Sequence, residues 1–494
     1  NVAQALYNFG FEPENPNGFH SLRIFHWFVD NNGITKRSNI RAEIVGLDLI
    51  QEYCKTNSLE KLLSMPATTY DKLKFTQKTT PQKDEAYIKP ADFEEFNTRI
   101  AYQLEQSYSA KSGIIRGMID KWGDYKKTFR LLNRVRFVHK SLPLYADLSI
   151  VKSSKTTNNG RTMMSTYNVQ DSNIFNNLEQ YEIEMEVDNA KVGVGTDFDS
   201  ANKLVDLIRK VIRMVLSGLQ QTNYPISYVE QNHVLHGYYV RLHGKEKEYR
   251  RIYPKDFIGP SSYTLQMKNM VTEYENMSVP NIRKNYTVTD KADGNRCLLY
   301  INEEGKIYMI NTNMSVIFTG SKTENKDCFN SLLDGEHILH DKNNKNINLF
   351  AVFDIYYINT QSVREFPFYV CPGDDELYNG KKPKYRCVLM NQFLGLLKHK
   401  NILNSKDTCE FNIECKTFYA VSEERTIFEG CSKILSDIHD NIYKYNTDGL
   451  IFTPSDKAVG SDVTGIAGPL HKITWNYSFK WKPAEFNTID LLVR

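Results

Sequence analysis

The chain has 494 residues, a formal net charge of +3 at pH 7 and 41% hydrophobic residues. That length sets an expectation of two or three domains with ample core, and the near balance of charge excludes any argument for nucleic-acid binding from the total, so a basic surface has to be local. No run of about 18 apolar residues exists, which argues against a helical membrane span, and the first residues do not read as a signal peptide. The eight cysteines include no Cys-x-x-Cys pair, and seven fall after residue 290. They read as reduced thiols of an intracellular protein, with neither a disulfide framework nor a zinc site.

In chain order, an initial helix and loop lead to the alternating stretch Leu22–Val29, a predicted strand, with a turn at Asn31-Asn32-Gly33 and a second strand over Asn39–Gly46. Leu47–Cys54 reads as a short helix broken by Asn57. Phe96–Glu105 alternates and, read as one strand, puts Arg99 and Glu105 on the same face. In Lys126–Phe137 the same period puts Arg130, Arg134 and Arg136 on one face and Lys127 on the other. Asp147–Lys152 is another strand, and the Ser/Thr/Asn-rich segment 153–162 reads as a hairpin tip.

Tyr181–Val187 alternates strictly, so Glu182, Glu184 and Glu186 share a face about 7 Å apart along it. Three anions in line repel. An outer, solvated face tolerates them; an inner face requires cations. Both readings are open on this strand alone. The basic strands upstream offer the cations, and a divalent metal would complete the neutralisation. Asp199–Leu219 is an amphipathic helix that reads as packing, with a domain boundary near 225–240.

The densest stretch is Lys291-Ala292-Asp293-Gly294-Asn295-Arg296, between the β-branched run Tyr286–Asp290 and the apolar run Cys297–Ile301. It reads as strand, tight turn at Gly294, strand. A lysine at a strand end with an arginine five residues on suits covalent phosphoryl chemistry: the amine attacks phosphorus and the guanidinium holds the nucleotide. An exposed lysine beside an Asp-Gly hairpin turn would look the same. Downstream come Asp334-Gly335-Glu336, Phe353-Asp354, Asp448–Phe452 and Lys480-Trp481-Lys482-Pro483. Each acid could be a turn residue before glycine, and the lysines could guard an edge strand. Together and in this order they carry more weight.

That order resembles the motifs of the covalent nucleotidyltransferases, the mRNA capping guanylyltransferases and the ATP- or NAD-dependent ligases. Upstream, Asn39–Cys54, Lys127–Phe137 and Asp147–Lys152 resemble the capping enzymes of large cytoplasmic DNA viruses, of the mimivirus and African swine fever virus kind. Phe257–Leu265 and Pro280–Tyr286 do so again. The resemblance implies an α+β chain: an antiparallel β-barrel of the tunnel-type, metal-dependent RNA triphosphatases over 1–230, its first strand either absent or diverged, then an ATP-grasp-like ligase/capping domain over 231–494. An OB-fold lid normally follows the last motif. Asn487–Leu491 looks like the start of that connection, so weak or absent adduct formation is expected of this chain alone.

The implied activity is mRNA 5′ capping: removal of the γ-phosphate from triphosphate-ended RNA, then transfer of GMP from GTP through a lysyl-N-GMP intermediate. Lys291 would attack the α-phosphorus, Arg296 and Glu336 hold the ribose, and Phe353 stack on guanine. Asp448 would lie near the catalytic metal, and Lys480 and Lys482 contact the α-phosphate. In the first domain the resemblance implies metal ligation by Glu182, Glu184 and Glu186, and triphosphate binding by Arg99, Lys127, Arg130, Arg134, Arg136 and Lys152. It implies Mg²⁺ or Mn²⁺, GTP as substrate and 5′-triphosphate RNA as partner. A C-terminal methyltransferase module or the viral transcription machinery are further implied partners, with no membrane. The implied place is the cytoplasm, in a viral factory or virion. Two other readings stay open: an ATP-dependent polynucleotide ligase using the same lysine, and an inactive scaffold that binds 5′ ends.

Overall fold

The alternating segments of the first third of the chain become one curled antiparallel sheet. In this computed structural model the described residues are 1–30, 32–66, 72–80, 88–157, 163–244, 250–274, 278–371, 384–403 and 410–486. They divide into two compact units, Asn1–Leu219 and Gln220–Arg494. Helix α1 (Val2–Asn8) opens the first unit. Strands β1 (Glu12–Pro13), β2 (Phe19–Val29) and β3 (Thr35–Val45) follow. Helices α2 (Leu47–Thr56) and α3 (Leu59–Leu63) come next, then β4 (Leu73–Thr79), β5 (Ala91–Phe93), β6 (Thr98–Ile100) and β7 (Leu104–Tyr108). Helix α4 (Gly113–Asp120), β8 (Lys126–Val138), β9 (Leu144–Ser153), β10 (Gln180–Val187) and α5 (Ala201–Gln220) complete it. The strand order is β10-β9-β8-β2-β3-β4-β7, with β1 attached to β8.

Period 2 separates the two faces of this sheet. Leu22, Ile24, Ile40, Ala42, Ile44, Leu73, Phe75 and Phe129 point one way and pack against Leu49, Ile50 and Tyr53 of α2 and Ile115 and Met118 of α4. Further along that face Phe137, Leu144 and Ala146 bury against Leu6 of α1 and Leu207 and Val211 of α5. Each such side chain contributes about 1.5–3 kcal/mol of burial. The opposite face is charged. Asn57, at a φ of 51° in the left-handed region, ends α2 where the sequence predicts.

Three expectations change here. Among the described residues the sheet is a half-barrel with free edges at β10 and β7, not a closed tunnel. Phe96–Glu105 is not one strand: Asn97 turns the chain at a φ of 50°, and β6 pairs with β5 in a separate two-stranded ribbon, while Glu105 lies on β7. The units divide before residue 220, because Ile226, Val234, Tyr238 and Leu242 join the core of the second unit.

The second unit starts with α6 (Tyr228–His243) and β11 (Ser261–Thr264). Strands β12 (Tyr286–Ala292), β13 (Asn295–Ile301), β14 (Lys306–Asn311), β15 (Val316–Lys322), β16 (Ser331–His340), β17 (Asn346–Ile358) and β18 (Gln361–Ser362) follow. Then come α7 (Arg386–Leu397), β19 (Lys400–Asn401), β20 (Asn412–Cys415), β21 (Tyr419–Ala420), α8 (Ile427–His439), β22 (Thr447–Pro454) and β23 (Thr474–Trp481). One sheet runs β11-β23-β22-β12-β21; the other runs β18-β17-β16-β13-β14-β15-β19 with β20 on β17. The run Cys297–Ile301 is apolar throughout because both faces of its sheet are covered. Leu298 and Tyr300 pack with Val234 and Tyr238 of α6, and Leu299 packs with Met390 and Phe393 of α7.

Asp293-Gly294 is therefore not a hairpin turn. β12 and β13 belong to different sheets, and these two residues carry the chain from one to the other. Asp334-Gly335 and Asp448-Gly449 lie inside strands β16 and β22, not in turns. Of the expected features, Asn31, residues 158–162 of the hairpin tip and the Asn487–Leu491 connection lie outside the described residues. Among the described residues no helix is long and apolar enough to cross a membrane, and the seven described cysteines form no disulfide with one another.

Candidate active site

The β12–β22 ladder loses register around one residue: Asp290 pairs with Leu450 and Ala292 with Thr447. The extra residue lies on β22: Asp448 and Gly449 together stand opposite the single residue Lys291. Lys291 Nζ donates to Asp448 Oδ1 at 2.7 Å, and Lys482 Nζ reaches Asp448 Oδ2 at 2.6 Å. Burial pushes the Asp448 carboxyl up, but the two ammonium groups outweigh it and hold it below the usual carboxylate range. Phe479 and Trp481 pack on the core with Ile427 and Ile434 of α8. Alternation then turns Lys480 away from that core; its side chain is exposed and makes no hydrogen bond or ion pair among the described residues.

Arg296 stands on β13 directly opposite Glu336 of β16. Its Nε and NH2 donate to the two carboxylate oxygens of Asp334 at 3.1 and 2.6 Å, and its NH1 donates to the Pro260 carbonyl at 2.8 Å. Asp334 is wholly buried and also accepts from Tyr356 Oη at 2.5 Å. Burial works against the charged guanidinium, but Asp334 more than compensates and raises its pKa. The Arg296 guanidinium lies 5.4 Å from the Phe353 ring centroid and 5.7 Å from that of Phe257. Glu336 is partly buried; desolvation raises its pKa against the pull of Lys416, Arg296 and Lys291. Gly294 has no side chain because a Cβ there would meet Glu336 Cγ at 2.7 Å and the His337 carbonyl at 2.8 Å. Glycine thus lets the strand crossing pass close over Glu336.

The second unit gathers Lys291, Asp448 and Lys482 by direct contact, and Arg296, Glu336 and Phe353 as neighbours. Sequence reasoning gave no role to Asp334, which anchors Arg296, though it quoted the motif that holds it, and it passed over the buried pair Lys416–Asp290 behind Lys291. Lys416 Nζ donates to the Asp290 carbonyl at 2.9 Å and to its Oδ2 at 3.1 Å. An acid inside the apolar run Leu332–Gly335 was the available signal for Asp334; for Lys416 the sequence offers none. A cavity of about 640 Å³ lined by Asp341, Asn346, Glu410 and Lys444 shares no residue with this group.

The charged face of the first unit is a ladder of ion pairs. Arg130 pairs with Glu182 at 2.6 Å, Arg134 with Glu184, and Arg136 with Glu186 at 3.5 Å. Asp147, which sequence reasoning passed over, receives Arg134 NH1 at 2.7 Å and Arg136 Nε at 2.8 Å. Arg23 and Arg41 share Glu43 at 2.9 and 3.6 Å. Arg41, central in the sheet, feels the charges of both Glu105 on β7 and Glu184 on β10, so the curl brings the two edges toward it.

Three of the expected triphosphate-binding residues are not part of this face. Arg99 sits in the small ribbon, exposed and paired with Asp92. Lys127 and Lys152 point to the opposite, core side, because β8 and β9 pair in register with Leu131 opposite Lys152. Lys127 is 1% exposed and donates to the carbonyls of Tyr125 and Tyr167 at 2.6 and 2.9 Å. Burial pulls its pKa down to about 8. Nor do Glu182, Glu184 and Glu186 converge. Each is taken by an arginine, and the described residues contain no group of three or more His, Cys, Asp or Glu placed to hold a metal ion. The residues present do not fit a protein-held metal there.

Two sheets with a lysine, an acid and a second lysine gathered at a strand bulge define a capping- or ligase-type domain. Residues 273–483 match the family described as mRNA capping enzyme, catalytic domain. Among curated relatives, the chain is 25% identical over 341 residues to the probable mRNA-capping enzyme of Acanthamoeba polyphaga mimivirus, covering 64% of this chain and 26% of that protein. That share of the chain exceeds the whole second unit, so the match reaches into the first. It is also 25% identical to the mRNA-capping enzyme subunit alpha of Schizosaccharomyces pombe, over 43% of this chain and 48% of that one. The Danio rerio mRNA-capping enzyme matches at 25% over 42% of this chain and 31% of its own length. A solved structure described as Pmar-Lig_Pre. aligns at a TM-score of 0.24 with 12% identity over 46% of each chain, too slight a likeness to carry an argument. The matches span less than half the length of these curated relatives. The resemblance read from the motifs stands: the chain is similar to mRNA capping enzymes, the viral type included.

Proposed function

We propose that the second unit transfers GMP from GTP to the 5′-diphosphate end of RNA through a covalent adduct on Lys291. The observation that carries this is the convergence of Lys291 and Lys482 on one carboxylate, Asp448, at a strand bulge inside the segment matched to capping enzymes. In the first step the neutral Lys291 amine bonds to the α-phosphorus and gives up a proton to solvent, the bond to the β-phosphate oxygen breaks, and pyrophosphate leaves. In the second, a β-phosphate oxygen of the RNA end attacks the same phosphorus, the P–N bond breaks, and Lys291 regains its proton. Splitting one displacement into two is what the covalent nucleophile provides.

Arg296, held rigid by Asp334, and Glu336 hold the ribose in this reading, and Phe353 offers its ring to the base. Lys482 and the free Lys480 meet the α-phosphate as negative charge builds on it. Mg²⁺ or Mn²⁺ arrives with the triphosphate as part of the substrate. For the first unit the proposal goes as far as its residues do. Arg23, Arg41, Arg130, Arg134 and Arg136 form a surface that exchanges carboxylate partners for the polyphosphate of an RNA 5′ end; γ-phosphate removal is assigned no step. A methyltransferase module, the viral transcription machinery and a cytoplasmic site of action rest on the resemblance read from the motifs alone.

The test is incubation with GTP or ATP labelled at the α-phosphate, read on a denaturing gel, with the chain as given and with a form extended past Arg494. Label from GTP, lost in Lys291→Ala, supports the reading. Label from ATP alone makes the protein a ligase, and no label in either form favours a 5′-end-binding scaffold.

A further inference from the structure

Behind the nucleophile lies an ion pair that the proposed chemistry does not use. The Lys416 side chain is 3% exposed and that of Asp290 1%. Besides its two bonds to Lys416, Asp290 accepts from Tyr445 Oη at 3.1 Å on Oδ2, and its Oδ1 lies 3.3 Å from Thr289 Oγ1. Thr289 Oγ1 in turn donates to the Thr417 carbonyl at 2.8 Å, next to Lys416 in the chain. Burying two charges costs more than an apolar pair of the same volume unless geometry and further hydrogen bonds compensate. A site that keeps such a pair beside a strand irregularity has a use for its directionality.

The location supplies the use. Asp290 is the last residue of β12 in register before Lys291, which faces the Asp448-Gly449 bulge of β22, and Ala292 is the first after it. A bulge disrupts the ladder locally for the residue opposite it as well, so the placement of Lys291 depends on what fixes its flanks. Lys416 grips the Asp290 carbonyl and carboxylate together, so it restrains the backbone and the side chain of that flank at once. Its charge is also the largest favourable influence on the Glu336 carboxylate, across the strand crossing from Lys291.

We propose that Lys416 is a positioning residue: with Asp290 and Tyr445 it fixes the strand flank of Lys291, opposite the β22 bulge, and so aims that lysine at Asp448. The idea rests on Lys291 as the nucleophile, and the experiment separates the two. Lys416→Met and Lys416→Arg are compared with wild type in two readouts. The first, hydrogen–deuterium exchange of the segment 286–294, needs no nucleotide. The second is the single-turnover rate of GMP-adduct formation against GTP concentration.

In Lys416→Met, exchange around 290–292 rises about tenfold or more while β16 keeps its protection. The adduct rate at saturating GTP falls about 100-fold, the effect of a roughly 1 Å misplacement, with the GTP dependence little changed. Lys416→Arg, which keeps charge and donors, recovers most of both. Unchanged exchange in Lys416→Met, or a loss confined to the GTP dependence, overturns the proposal. A wild-type protein that forms no GMP adduct even in the form extended past Arg494 sinks the guanylyltransferase reading instead, and the exchange result still decides the role of Lys416. Should Lys416→Met not fold, Asp290→Asn supplies the same readouts.

Discussion

Asp334→Asn isolates what holds Arg296. The substitution keeps volume and shape but removes the charge and turns an acceptor into a donor facing Arg296 or Tyr356. Removing one partner of a buried ion pair costs ~3–5 kcal/mol, because the other charge is left uncompensated. Arg296 keeps 23% of its side chain accessible and retains the Pro260 carbonyl, which favours the lower end, about 3 kcal/mol. For a unit of this size that corresponds to a fall of about 6–12 °C in Tm. Denaturant unfolding of the wild type, Asp334→Asn, Arg296→Met and the double variant gives the coupling. The double variant should cost clearly less than the two singles together, and GTP should bind Asp334→Asn more weakly. A loss under about 1 kcal/mol with additive singles would refute the claim that Asp334 anchors Arg296.

Other outcomes follow from the same electrostatics. Glu336 has its pKa raised by burial, so it costs stability above its folded pKa, and that cost disappears as pH falls. Glu336→Gln should therefore raise Tm at neutral pH while weakening nucleotide binding. Burial, with Lys127 adding to it, brings His26 down to about 4 from 6.5. Between those values the unfolded chain takes the proton first, so stability drops on acidification from about pH 6.5 toward 4. His26→Phe should flatten that limb in a pH series of melts. Arg134, 5% exposed and shared by Asp147 and Glu184, should cost the first unit ~3–5 kcal/mol when changed to Met, read by chemical denaturation.

Much of this fold was legible because period 2 is a strong signal. The pairing of Arg130, Arg134 and Arg136 with Glu182, Glu184 and Glu186 follows from two alternating strands, and so does the exclusion of Lys127 from that face. What alternation could not reveal is interruption. Phe96–Glu105 keeps its rhythm through a break at Asn97, and Arg99 was misplaced with it. Lys152 was misread because its basic charge outweighed its parity with Leu148 and Ile150. In the second unit the acid–glycine pairs looked like turns, since Asp-Gly favours turns locally. Here tertiary crowding sets the glycines: Gly294 lets the chain pass over Glu336. Lys416 was invisible because nothing local distinguishes a lysine that will be buried from one that will be solvated. Only its distance to Asp290, 126 residues away in sequence, reveals its use.

The central claim is that Lys291 carries GMP on its way to an RNA 5′ end. The most direct measurement is a pulse and chase: load the protein with α-labelled GTP, remove free nucleotide and pyrophosphate, and add RNA with a 5′-diphosphate or a 5′-monophosphate end. The account predicts that label leaves the Lys291 peptide and appears as a cap on diphosphate-ended RNA only. Label that stays on the protein, maps to another residue, or moves to monophosphate-ended RNA would contradict it.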